Sequence, residues 1–196
     1  MNTLHFCAGS EWLLASASTD TTVCVWDVRK LSAAAPATAA RGVPKPLHEF
    51  AHSRGTQAAE WAPDGSGRLL STSFDNCLRV WPAIDPSTGA MVAAAKAAAK
   101  AGAKAGSVVP ARAIKHDTQT GRWVVPFRAT WSSDSSAVVV GGMKRTAELY
   151  DAASGLRLAS LSDELMTAIP SRNAAHMGGR AIACATNSGR VHVYRA

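Results

Sequence analysis

Leu13–Arg29 reads LLASASTDTTVCVWDVR: a strand, a tight turn at Thr19-Asp20-Thr21, and a second strand closing on Trp26-Asp27. Along the second strand Val23 and Val25 point to one face, Cys24 and Trp26 to the other. Both faces are apolar, so a sheet built on it has to be covered on both sides. The same template returns as RLLSTSFDNCLRVW at Arg68–Trp81. It recurs in weaker form as AVVVGGMKRTAELYD at Ala137–Asp151 and AIACATNSGRVHVY at Ala181–Tyr194. A repeating unit that buries both faces against its neighbours predicts an all-β fold, a β-propeller of four-stranded blades.

Working outward, Asn2–Phe6 is expected as the first strand of a blade that lacks a preceding outer strand. Asp20 sits in the first turn, where a carboxylate can accept backbone N–H bonds. Trp26 follows it six residues later, and Asp75 stands in the same relation to Trp81. His52 precedes Trp61 at a spacing that resembles the WD repeat. His52, Asp75 and Trp81 are therefore expected to form a buried polar network that ties a blade together, and Asp20 to hold its turn closed, structural roles and not catalytic ones. The repeats divide the chain into blades at 1–50, 51–116, 117–161 and 162–196. Leu31–Pro46 forms an Ala/Pro connector, and residues 82–107 an Ala/Lys-rich insertion. In that insertion Lys96, Lys100 and Lys104 stand four apart on one face of a possible helix. It reads either as a neutral low-complexity segment or as an arm touching phosphates.

The chain has 196 residues, long enough for a sizeable core, and its 47% hydrophobic content is inflated by alanine in the two insertions. Lys and Arg number 21 against 14 Asp and Glu, a net charge of +7. That balance suits a nucleic-acid partner, and equally a solvated basic surface. Cys7, Cys24, Cys77 and Cys184 form no CxxC pair, which points away from a metal site and towards a reducing compartment. No apolar run approaches the roughly 20 residues of a membrane span, and no membrane partner is expected. No Ser/His/Asp order, carboxylate pair or phosphate-cradling glycine run stands out, so the sequence points to no enzyme and no cofactor.

The most distinctive stretch is IKHDTQTGRWVVPFRATW, Ile114–Trp131. An ordinary repeat passes from His116 to the first-strand aromatic in about nine residues; here Trp131 lies fifteen on. The extra length holds Gly121-Arg122-Trp123. Two readings are open: Arg122 pairs with phosphate while Trp123 stacks on a base, or Trp123 folds back as packing and Arg122 is solvated. Lys144 stands where the turn aspartate of the third repeat should be. With Arg145 it adds two cations beside the expected position of that loop, or simply a solvated turn.

The TGRW stretch Thr120–Trp123, the strand Val138–Gly141 and the closing Asn187–Tyr194 carry a family likeness. The chain resembles the WD-repeat DNA damage-binding family, the group around the small subunit of the UV-damaged-DNA-binding complex, and within it the branch of WD repeat-containing protein seventy-six. The resemblance covers nearly all of the chain except the two Ala-rich insertions. It implies a seven-bladed propeller, of which about four C-terminal blades are present here, so that the native protein is expected to be longer or this sequence to be truncated. It implies binding of damaged or modified duplex DNA, with Gly121, Arg122 and Trp123 in the place of the family's DNA-binding hairpin. This chain lacks the Phe-Gln-His wedge found there. The resemblance also places Arg145 near the DNA backbone and Arg128 on the inner strand. It implies docking to the adaptor of a cullin-four ubiquitin ligase through a WDxR motif, here Trp26-Asp27-Val28-Arg29. The expected protein is a nuclear, non-enzymatic receptor or scaffold associated with chromatin proteins. The alternative is a protein-only WD-repeat scaffold that binds peptides or complex subunits.

Overall fold

The computed structural model describes residues 1–32, 45–92 and 108–195. The first sheet holds β1 (Thr3–Phe6), β2 (Leu13–Ala17), β3 (Thr22–Asp27) and β4 (His48–Ala51), with a five-residue helix α1 (Val28–Ser32) after β3. The second holds β5 (Thr56–Trp61), β6 (Leu69–Ser73), β7 (Cys77–Trp81) and β8 (Arg112–Lys115). The third holds β9 (Thr130–Trp131), β10 (Ala137–Gly142), β11 (Thr146–Asp151) and β12 (Arg157–Leu161). The fourth holds three strands, β13 (Pro170–Ala175), β14 (Ala181–Thr186) and β15 (Val191–Arg195). Each sheet is an antiparallel meander in sequence order, so the all-β, blade-by-blade architecture read from the repeats is the one observed. The fold is a partial β-propeller.

The sheets stack through matched faces. Ala15, Ala17, Val23 and Val25 on the first sheet present small side chains to Trp61, Leu69 and Trp81 on the second, and Phe50 stacks on Trp81 at 4.7 Å between ring centres. Leu70, Leu78, Val80 and Ile114 on the second sheet meet Phe127, Trp131, Val138 and Val140 on the third. Ala147, Met166 and Cys184 close a smaller core between the third and fourth. Burying such a side chain contributes about 1.5–3 kcal/mol, which makes these interfaces the main source of cohesion. The third and fourth sheets approach so closely that Gly141 leaves no room for a β-carbon against the Pro170 carbonyl oxygen.

The structure differs from the reading of the opening stretch in one respect. Coverage on both faces is realised in β6 and β10, whose residues are all buried, whereas β3 alternates between buried and half-buried. No sheet among the described residues lies against the outer face of the first one, and Leu4 and Phe6 there are each 54% exposed. Part of the 82–107 insertion is also integral to the body. Ile84 is fully buried in the first core, bridges to Met91, and donates its N–H to the Gly67 carbonyl at 2.9 Å. Most of the Ala/Pro connector, and Lys96, Lys100 and Lys104, lie outside the described residues.

Candidate nucleic-acid interface

Because every sheet is an antiparallel meander, the turns between second and third strands and the connections from one sheet to the next fall at the same end of the molecule. They are tied to one another. His52 N–H bonds the Thr21 carbonyl at 2.8 Å and Thr56 N–H the Ser18 carbonyl at 3.0 Å. Asn187 N–H bonds the Ile169 carbonyl at 3.1 Å. This loop end carries most of the residues singled out from the sequence.

Residues 116–129 run between β8 and β9 without a strand of their own. At the start, the Thr118 hydroxyl donates to the Ser73 carbonyl at 2.8 Å, Thr118 N–H to Asn76 Oδ1 at 3.1 Å, and the Gln119 amide to the Phe74 carbonyl. At the finish, Phe127 is buried and Ala129 N–H bonds Thr72 Oγ1 at 3.0 Å. Between these anchors Gly121 turns the chain at φ +67°, a value that favours glycine. Gly121, Arg122 and Trp123 are all exposed. Trp123 is 89% exposed, while Trp61, Trp81 and Trp131 are essentially buried. The reading in which Trp123 packs back onto the blade is therefore not the one adopted. The tip is a turn, and the hairpin that the resemblance implied is absent from it.

Lys144 and Arg145 occupy the β10–β11 turn, both exposed, with Arg145 at φ +61°. Lys144 lines a cavity of about 240 Å³ together with His116 and Asp117 at the root of the 116–129 loop, so turn and loop root meet. Arg128 lies two residues ahead of β9 and not within the inner strand. Its guanidinium donates to the Asn2 carbonyl, at the start of the first sheet, at 3.3 Å. Beside it is Arg172, which sequence reasoning missed. It donates to the Pro126 carbonyl at 2.6 Å, and burial, then the charge of Arg128, lowers its pKa. No motif marks Arg172; only the fold brings β13 to the end of the loop.

The structural side chains singled out from the sequence make the following contacts, those of Asp20 within an exposed turn. In the second sheet His52 Nε2 lies 2.7 Å from Ser71 Oγ and His52 Nδ1 3.2 Å from Asp75 Oδ2. The Trp81 indole donates to Ser71 Oγ at 2.7 Å. In the first, Asp20 Oδ1 accepts the Thr22 N–H at 3.0 Å and its hydroxyl at 2.7 Å, and the Trp26 indole donates to Ser16 Oγ at 2.8 Å. Ser71 and Ser16 were missed, although each stands ten residues before its tryptophan, a spacing that could have found them. Among the described residues no group of three or more His, Cys, Asp or Glu is arranged to hold a metal ion.

At the opposite end, where β3 finishes, Asp27 is buried and grips Arg29 with two bonds of 2.9 Å, from Nε to Oδ1 and from Nη2 to Oδ2. The guanidinium lies 3.7 Å above the Trp12 ring. Trp26, Asp27 and Arg29 are thus held by the body of the first sheet, with the Arg29 side chain 60% exposed.

The WD domain, G-beta repeat family matches residues 1–27 and 44–82, the stretches that form the first sheet and three strands of the second. The chain carries WD repeats. Across 181 residues the WD-repeat chain is 29% identical to the DNA damage-binding protein cmr1 of Aspergillus oryzae, an alignment covering 90% of this chain and 31% of that protein. It is 32% identical over 131 residues to the DNA damage-binding protein CMR1 of Cryptococcus neoformans, covering 65% and 21% respectively. It is 28% identical over 175 residues to WD repeat-containing protein 76 of Xenopus laevis, covering 88% and 26%. The chain thus spans about a third or less of the length of the curated relatives it matches.

The third and fourth sheets depart from the WD-repeat pattern, and the geometry shows how they compensate. His116 Nε2 lies 2.7 Å from the Gly141 carbonyl, which stands in for the serine, and Nδ1 lies 3.1 Å from the Tyr150 hydroxyl. Tyr150 in turn donates to Glu148 at 2.6 Å. In the fourth sheet Asp163 Oδ2 lies 3.0 Å from His192 Nδ1 and accepts the Tyr194 hydroxyl at 3.2 Å. With polar ties supplied from new positions, the β10–β11 turn is free to carry cations in place of aspartate.

Proposed function

We infer that this WD-repeat chain is a non-catalytic, nuclear DNA-binding protein that engages damaged or modified duplex DNA with its loop end. The observation that carries the reading is Trp123, 89% exposed beside an exposed Arg122 on a loop anchored at both ends. An indole held in water costs free energy unless a partner covers it, and a rigidly rooted aromatic with an adjacent guanidinium suits a base face and a phosphate. Lys144 and Arg145 would extend the phosphate contacts, while Arg128 positions the loop end through Asn2. The relatives' printed names, DNA damage-binding protein among them, agree with this class of ligand. A second surface lies at the opposite end, where Trp26, Asp27 and Arg29 would dock a cullin-four ligase adaptor. DNA and adaptor would then occupy opposite ends of one stack without competing.

The test is a fluorescence-anisotropy titration of plain and lesion-bearing duplexes with the Arg122→Glu/Trp123→Ala double variant. Stacking contributes about 1–3 kcal/mol per base, so affinity should fall at least tenfold. The slope of log K against log salt should shrink by about one per lost phosphate contact. An unchanged titration would remove the loop from the site. Negligible DNA binding by the unaltered protein, with partner proteins still captured, would favour the protein-only scaffold.

A further inference from the structure

Where the outer edge of the second sheet meets the third, a groove of about 240 Å³ is lined by Lys115, Lys144 and Arg157, with His116, Asp117, Glu148 and Tyr150 among its walls. Its volume equals that of about eight waters. The three cations come from three separate elements: the last residue of β8, the β10–β11 turn, and the first residue of β12. The two carboxylates in the wall are already committed. Glu148 accepts the Tyr150 hydroxyl at 2.6 Å and pairs with Arg157 only at 3.7 Å, and Asp117 Oδ1 accepts the Gln119 N–H at 3.0 Å. The Lys115 and Lys144 side chains have no hydrogen bond or ion pair among the described residues. Three cations against two carboxylates already engaged elsewhere leave the groove with an excess of positive charge, and an oxyanion entering it relieves the repulsion among the cations.

We propose that this groove is a second phosphate subsite, in which Lys115, Lys144 and Arg157 take a backbone phosphate of the duplex whose bases face Trp123. The assignment rests on the DNA-binding reading above and adds Lys115 and Arg157 to it. The chain itself sets the geometry: groove and tip are the root and the apex of one loop, eight residues apart from Lys115 to Trp123. At about 3.3 Å per residue, that allows at most roughly 26 Å between them. A strand crossing the apex can therefore reach the groove within a few nucleotides. A phosphate borne by a modified peptide shares the chemistry; the duplex is favoured because the groove is continuous with the loop carrying Arg122 and Trp123.

The experiment compares salt-dependent anisotropy titrations of a fluorescein-labelled duplex for the full chain, Lys115→Gln/Arg157→Gln, and Lys115→Arg/Arg157→Lys. Arg180→Gln, in the β13–β14 turn at the opposite end, is the control for lost charge. The neutral pair should lower the log–log salt slope by about 0.9 per lost contact, a three- to fourfold loss for each over a fourfold rise in salt. The charge-preserving pair should restore the slope, and Arg180→Gln should leave it unchanged. A neutral pair with an unaltered slope, or with a loss no larger than that of Arg180→Gln, overturns the subsite while the Trp123 reading stands. A phosphoserine peptide whose binding is lost in the neutral pair, with duplex binding intact, overturns the assignment to nucleic acid. Failure of the unaltered chain to bind any duplex sinks the DNA reading itself. Circular-dichroism melts of all variants separate loss of fold from loss of contact.

Discussion

Ser71 shows how much a single hydroxyl can organise. It is fully buried, accepts the Trp81 indole N–H and lies against His52 Nε2, so one oxygen serves two large side chains from different strands. Ser71→Ala leaves His52 Nε2 and the Trp81 indole N–H without a mate in a dry setting, and each buried unsatisfied group costs about 1–3 kcal/mol. Stability should fall by about 2–4 kcal/mol, read as a lower denaturation midpoint in urea. Ser16→Ala removes one bond to the half-buried Trp26 and should cost less. A midpoint equal to that of the parent for Ser71→Ala would contradict this account. Trp123 is the opposite case, an aromatic residue 89% exposed with no hydrogen bond or ring contact among the described residues, and its Ala variant should leave the urea midpoint unchanged.

At the scale of elements, the second to third sheet junction should respond to acid. Burial lowers the pKa of His116 from its ordinary 6.5, outweighing the Gly141 carbonyl and the Glu148 and Asp117 charges, which raise it. The ring is therefore neutral in the fold, and the unfolded chain binds its proton more readily. Its contribution to stability is complete above about pH 6.5 and is lost as pH falls through and below that value. Melting temperature should decline between about pH 7.5 and 5.5, and His116→Gln should flatten that decline. A second window comes from Asp134 in the β9–β10 turn, where the Ser132 hydroxyl and the Ser136 N–H and hydroxyl hold the carboxyl down at about 2. A depressed carboxyl stabilises above its unfolded value and loses that effect as pH falls towards the folded one. Asp134→Asn should therefore remove an acid-dependent loss seen between about pH 4 and 2. The strands themselves were legible, because alternation and turn residues are local properties. The compensation in the third sheet was not, since Glu148 and Gly141 acquire their roles only once β10 and β11 pair.

At the scale of the whole molecule, the stack has two unpartnered faces. Leu4 and Phe6 on the first sheet are each 54% exposed, and Val191 and Val193 on the last are 63% and 56% exposed. Apolar sheet faces of this kind are association surfaces. The 196-residue chain produced alone should self-associate with rising concentration, and Phe6→Lys with Val193→Lys should return it to monomer in light scattering. A monomeric parent at high concentration would show that these faces do not drive association. The sequence by itself determined the repeat, the strands, the polar ties at His52, Asp75 and Trp81, and the presence of an unusual Gly-Arg-Trp insertion. These follow from spacing along the chain, which backbone periodicity converts directly into position on a strand or turn. Only the tertiary structure decided that Trp123 stays in water, that Arg128 and Arg172 share one site, and that Lys115, Lys144 and Arg157 open onto a common groove. Those facts depend on residues from different sheets meeting across their faces, and how one sheet packs on the next is set by side-chain volume and coverage across a whole face, which spacing along the chain does not encode.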